Sequence, residues 1–256
     1  MKSAKSRERW APVVTAAGLL LLWQLACSVF NIADYVFPSP LTILQAMREF
    51  AVPIAEAAWK TFWVTLLGFA IAIVVGMLLG FLVGSSRLAY AALYPLLVGF
   101  NAVPKAALVP ILIVWFGIGL GPGILTAFLI SFFPITVNIA TGLATLEPEL
   151  EDVLRVLGAK RWDVLVKVGL PRSMPYFYAS LKIAITLAFV GTVLAEMTAG
   201  DSGIGYLMQT AGSQQRMPLA FAGLVAIGVM AMSMYELFSI IEKRTTGWAH
   251  RGTQGE

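Results

Sequence analysis

Ionisable side chains stand inside apolar runs of this sequence, among them Lys105 in VPKAALVP, Lys182 in ASLKIAIT and Glu196 in VLAEMTAG. A charge at the centre of a bilayer costs at least about 2.5–3.5 kcal/mol, so each one marks a functional candidate. Such groups can attract, pair with or gate a solute, but covalent chemistry needs more than a lone charge. The sole histidine, His250, lies in the polar tail, which rules out a His-containing triad among the apolar segments. Cys27 is the only cysteine, so neither a disulfide framework nor a Cys/His metal cluster is available. No G-x-x-x-x-G-K-[ST] loop occurs to cradle a nucleotide phosphate.

The three charges differ in depth. Lys182 lies near the start of its apolar run and is expected to snorkel to the interface. Lys105 sits about two-thirds along its run, and Glu196 about 30 Å from the start of its own at 1.5 Å per residue. Both belong in one half of the membrane, where each alone would be uncompensated, and pairing within a chain or across a dimer axis is expected. Two readings stand for them: a structural ion pair or solvent contact, and a gate or pathway element. Asn101, Asn138, Thr192 and Thr198 are further pathway candidates, although interhelical hydrogen bonding accounts for such residues equally well. Gly68, Gly76, Gly80 and Gly84 form a small-residue stripe read as helix packing.

The elements that hold these groups follow from composition. Hydrophobic residues make up 59% of the 256 and charged residues 12%, with mean hydropathy +0.82. Soluble domains are about 45–50% apolar and about 25% charged, so the bilayer is the expected solvent. Six segments are long enough to cross about 30 Å of hydrocarbon, near 12–31, 59–84, 89–116, 122–143, 175–200 and 218–242. The third is interrupted by Pro104 and Pro110, which predicts a kink or break. The first follows a basic head and is read as an uncleaved span, too long for a signal core. Between the first two, a Pro-Ser-Pro turn precedes a short amphipathic stretch expected to rest at the interface.

Basic residues order the topology. They cluster before the first span, at Arg87, between Arg155 and Arg172, and after the sixth span, whereas the opposite loops offer Arg48, Lys60 and Arg216. With six spans every rich cluster falls on one side, which the positive-inside rule makes cytoplasmic, together with both termini. The sequence pI near 9.3 therefore reflects topology, not a nucleic-acid groove.

One cytoplasmic stretch, EDVLRVLGAKRWDVLVKVGLP at 151–171, is patterned differently from its surroundings. Leu150, Val153, Leu154 and Leu157 fall at i, i+3, i+4 and i+7, one apolar face on a helix opened by Pro148 and acidic residues. Gly158 ends it in the manner of a left-handed cap. A second short helix places Trp162, Leu165 and Val166 on one side, and Leu170-Pro171 is expected to stop it. Mixed charge around an apolar ridge fits a protein partner better than anionic lipid, for which the balance should be basic.

The spacing of Gly158, Val168, Leu170 and Pro171 resembles the EAA loop of binding-protein-dependent ABC importer permeases, with Val in the Ile position. The Glu-Ala-Ala positions read Asp152-Val153-Leu154, a shortened acid and enlarged alanines. FPSPLTIL, VPKAALVPILIVWFGIG, FFPITVN and GDSGIGYLM are similar to the nitrate/sulfonate/taurine branch, and the similarity runs from about Pro38 to the end of the sixth span. The resemblance implies an all-α integral membrane protein of type I permease fold, one transmembrane domain over 1–256, with membrane helices within 12–242 and a coupling loop at 145–173. It implies a non-catalytic subunit in the bacterial inner membrane. A second copy completes the pathway, two cytoplasmic ATPases hold ATP and Mg, and an extracytoplasmic binding protein delivers substrate. Carried onto this sequence, the ATPase contact falls on Glu151, Asp152, Leu154, Leu157, Gly158, Ala159, Arg161, Trp162, Leu170 and Pro171. Lys105, Glu196, Asn101, Asn138 and Thr192 remain the candidates for the pathway or gate. The family's range covers sulfonates or taurine, nitrate or bicarbonate, and pyrimidine-type vitamin precursors. A secondary transporter or channel, and less readily an intramembrane enzyme, are the rival readings.

Overall fold

The computed structural model describes residues 2–144, 153–154, 156–158 and 160–246. Among them every regular element is helical. The chain runs through α1 (Lys2–Val29), α2 (Pro40–Glu49), α3 (Ala51–Gly84) and α4 (Arg87–Ala102). A 3₁₀ turn at Lys105–Leu108 leads into α5 (Val109–Phe116) and α6 (Leu120–Ala144). The short α7 (Arg161–Val164) then leads through a π-helical turn, Leu165–Gly169, into α8 (Leu170–Ala199). Helices α9 (Gly203–Ser213) and α10 (Met217–Thr245) follow.

Among the described residues, five stretches are long and apolar enough to cross a membrane: Trp10–Val29, Ala51–Gly84, Leu120–Leu143, Val166–Thr198 and Met217–Thr245. The expected third span is α4 together with Lys105–Phe116, bent by 72°. The bend lies at Val103-Pro104, where Val103 is extended as residues before proline tend to be. Pro110 causes no second kink, because it occupies the first turn of α5, where its missing N–H is not needed.

Helices α3, α6 and α8 form the core, with Phe69, Ala72, Ile135, Ile139, Ile185 and Phe189 buried between them. The expected packing role of the glycine stripe holds. A Cβ at Gly68 would lie 2.5 Å from the Ile124 carbonyl oxygen, and one at Gly80 would lie 2.8 Å from both the Thr136 oxygen and Ile139 Cβ. Backbone contact replaces side-chain interdigitation along this seam, which is how membrane helices approach most closely. Helix α1 is peripheral, with 6% of its apolar window buried inside the chain. Its Trp23 stacks 5.2 Å from Phe37 and packs toward Phe221. The short stretch after the Pro-Ser-Pro turn is α2, capped by Ser39 Oγ accepting from the Thr42 amide.

One expected boundary is corrected. Leu170-Pro171 does not stop the second short helix. The π turn at Leu165–Gly169 carries it into α8, with Pro171 in the first turn. A wider turn there spares the i→i−4 bond that proline cannot donate. The segment from Arg161 to Ala199 is therefore a continuous helical path.

Candidate functional site

Of the expected coupling residues, Glu151, Asp152 and Ala159 lie outside the described residues. Arg161 and Trp162 are placed on α7. Leu170 and Pro171 begin α8. Gly158 has φ +85°, the left-handed conformation that its place after an amphipathic run calls for. Leu154, Leu157, Gly158, Asp163, Val164 and Lys167 line a groove of about 290 Å³. Beside it Val156 and Leu157 are 88% and 77% exposed, a pair of large apolar groups outside the spans with nothing covering them in one chain. Lys167 pairs with Asp163 one turn earlier at 2.9 Å. Its hydrogen bond, with the attraction of its charge, holds the Asp163 carboxyl below the usual carboxylate range. Both groups face solvent, so the pair orders the surface more than it stabilises the fold.

Glu196, 8% exposed near the end of α8, sits in a built site. Thr61 Oγ1 on α3 lies 2.9 Å from both carboxylate oxygens, and the Gly205 amide donates to Oε2 at 2.9 Å. The Thr61 hydroxyl in turn accepts from the Ile204 amide at 2.8 Å. Two free N–H groups at the start of α9 thus end on the Glu196 carboxyl group and the Thr61 hydroxyl, acceptors placed at the positive end of the helix. The turn is shaped to admit this. Gly203 has φ +92°, and a Cβ there would overlap the Glu196 carboxylate. A Cβ on Gly205 would lie 2.6 Å from the Val193 oxygen. Glu196 is therefore a joint binding α3, α8 and α9.

Lys105 does not meet Glu196 within the chain, which corrects the expected intrachain pairing. The 3₁₀ turn after Pro104 aims its ammonium back at α4, where it donates to the Asn101 carbonyl oxygen and, at 2.6 Å, to Asn101 Oδ1. A cation at a helix C-terminus meets the negative end of the dipole. Asn101, Ala102, Val103, Pro104, Ala106 and Ala107 are exposed around it.

Lys182 pairs with Glu242 of α10 at 2.6 Å, a partner its position alone did not name, with both side chains mostly buried at 18% and 13% exposure. The Tyr235 ring lies 5.8 Å from the ammonium. Thr192 is fully buried and accepts from Thr65 Oγ1 at 2.9 Å, so it joins α8 to α3 and lines no open path in this conformation. Asn138 donates to the Pro134 carbonyl oxygen at 2.8 Å, and exposed Thr198 to the Leu194 oxygen at 2.7 Å, both along their own helices.

Sequence reasoning missed Thr61, the two α9 amides and Glu242. Thr61 and Thr65 extend the stripe of Gly68, Gly76 and Gly80 at helical spacing, a signal present in the sequence. No cluster of three or more potential metal ligands occurs among the described residues. The arrangement fixes helices, leaves a surface groove beside Gly158 and sets the partly exposed Lys105 ammonium against Asn101.

A model of the family described as binding-protein-dependent transport system inner membrane component matches residues 72–247. The chain is 33% identical to a probable ABC transporter permease protein of Haemophilus influenzae, over 90% of this chain and 93% of that protein. It is 27% identical to the formylaminopyrimidine transport permease protein ThiX of Halalkalibacterium halodurans, covering 95% and 98% respectively. The putative aliphatic sulfonates transport permease protein SsuC of Bacillus subtilis is 26% identical, covering 96% and 91%. Among solved structures, the inward-facing MetNI methionine ABC transporter shares the fold, with TM-score 0.65, 18% identity, and coverage of 77% of this chain and 98% of that one.

Proposed function

The chain belongs to the family of binding-protein-dependent transport system inner membrane components, and from that premise we propose how its parts divide the work. It is a multi-pass permease subunit of an ABC transporter, of type I permease fold, and it catalyses no reaction. Two copies form one pathway as a single transmembrane unit each, with both termini in the cytoplasm. Two ATPase subunits hold ATP and magnesium, and each receives the segment around Gly158 in a surface groove. An extracytoplasmic binding protein delivers the solute. Closure of the ATPases displaces the coupling segment, and the continuous path from Arg161 to Ala199 carries that displacement across the membrane.

The observation that supports this division most directly is Gly158 at φ +85°, beside exposed Leu157. A β-branched residue at this angle is disfavoured by about 1 kcal/mol or more. Gly158→Val should reduce both ATPase copurification and transport while the protein still inserts in the membrane. Normal coupling in that variant would remove the segment from this role.

The solute we propose is small and often anionic, such as a sulfonate or taurine, nitrate or bicarbonate. The similarity to a sulfonate permease along nearly the whole chain supports it. A pyrimidine-type vitamin precursor is the second reading, supported by the similarity to ThiX. Mass spectrometry of the ligand retained by the partner binding protein separates the two.

A further inference from the structure

We infer that the break in the third span holds an anion-selecting site centred on the Lys105 ammonium; this rests on the permease reading. Irregular backbone at membrane depth is not left facing lipid; it is buried in protein or lines a water-filled cavity. The stretch 101–107 is irregular at Val103-Pro104, bent by 72°, and open on its outer side in the single chain. The face it presents is small, made largely by Ala102, Ala106 and Ala107, so a solute can reach the cation.

The ammonium has three N–H donors. Asn101 takes up two of them, through its carbonyl oxygen and its side-chain oxygen. No carboxylate lies within ion-pair distance of Lys105 among the described residues, and Glu196 is occupied by Thr61 and Gly205. Asn101 is neutral, so it orients the charge without cancelling it. What remains is a positive charge with one N–H donor that no described residue takes up. A cation set beside low-dielectric groups raises the local concentration of anions and repels cations. The ligand chemistry is a small anion with exposed oxygens, and an anionic lipid headgroup could offer the same.

The test uses the full transporter, purified with its ATPase and reconstituted in nanodiscs, with Cys27→Ala to remove the native thiol. A cysteine at Ala106 is titrated with two water-soluble methanethiosulfonates, one carrying a sulfonate and one a quaternary ammonium. The anionic reagent should react faster, and Lys105→Gln should lower that preference about threefold or more, as expected for one charge a few ångströms away. The same preference at a cysteine replacing exposed Gln214 should not move. An unchanged ratio at position 106 would overturn the inference. So would the absence of reaction with either reagent, which is the result if lipid headgroups seal the break. Retention of the ATPase during purification tests the permease reading separately, whatever the ratio.

Discussion

The Thr61 hydroxyl lies 2.9 Å from each oxygen of the Glu196 carboxylate, across 135 residues of chain. Its oxygen also accepts the Ile204 amide at 2.8 Å. One side chain thus serves as donor to α8 and acceptor for α9 while standing on α3. Thr61→Val keeps the volume but leaves Glu196 with the Gly205 amide alone and strands the buried Ile204 N–H. A stranded buried group costs about 1–3 kcal/mol. The expected outcome is a lower melting temperature of the purified protein, with Thr61→Ser retaining most of the wild-type value.

Gly203→Ala should harm the same joint more severely, because the new methyl would occupy the position of the Glu196 carboxylate at a φ that L residues disfavour. Combined with Thr61→Val, the loss should be less than the sum of the single losses, since both act on one network. Thermal unfolding of the four proteins in one detergent checks this. Strict additivity would mean that the joint is not a unit.

Lys182 and Glu242 give a contrasting case, because a mostly buried pair can be replaced but not halved. Lys182→Met leaves Glu242 without its partner and should destabilise by about 3–5 kcal/mol, whereas Lys182→Met with Glu242→Leu should recover most of that loss. The melting temperatures of the two single variants and the double variant decide it. Tyr235 stays in place in every variant, so its 5.8 Å contact with the ammonium is lost alike in all that lack Lys182.

The seam between α3 and α6 predicts a position-specific penalty. Gly80→Val must displace the Thr136 carbonyl or Ile139, whereas a Cβ at Gly99 or Gly228 meets nothing within 4 Å. Gly80→Val should abolish stable folded protein. Gly99→Ala and Gly228→Ala should be neutral or slightly stabilising through helix propensity. Fluorescence-detected size exclusion of the three variants measures the difference. Equal behaviour would show that α3 and α6 tolerate separation.

The spans were legible because hydrocarbon thickness demands long apolar runs, and that constraint acts locally in sequence. The left-handed Gly158 and the break at Pro104 were legible for the same reason: glycine and proline restrict backbone within one or two residues. Helix α9 was not. Its sequence, GIGYLMQTAGS, holds three glycines, and Ser202 at its start makes no side-chain cap bond. The capping acceptors arrive from Glu196 and Thr61, so the helix begins where tertiary contacts allow. The depth of Glu196 could be counted along its helix, but its partner stands on another helix. Lys182 was read from its position alone, and the Glu242 that holds it is 60 residues away. Periodicity identifies which face is polar, but not which polar face it meets.

The same break that carries Lys105 argues for two copies around one axis. One chain leaves the break at Val103-Pro104 exposed beside Phe100 and Val103, at 44% and 43%, and lipid cannot satisfy the polar groups of irregular backbone. A second copy related by two-fold symmetry would cover part of it and leave a hydrated gap between equivalent residues. Equivalent positions meet only near the axis, so a scan is needed. Single cysteines at Phe100, Val103 and Ala107, each with Cys27→Ala, should give crosslinked dimers at one or more positions on mild oxidation in native membranes. A disulfide requires Cα atoms within about 7 Å, so a short bis-maleimide extends the reach where the gap is wider. Crosslinking should depend on position and vanish at Leu22, 64% exposed on the peripheral helix α1. A chain that stays uncrosslinked at all three sites, binds one ATPase and transports at full rate would require each copy to hold its own pathway.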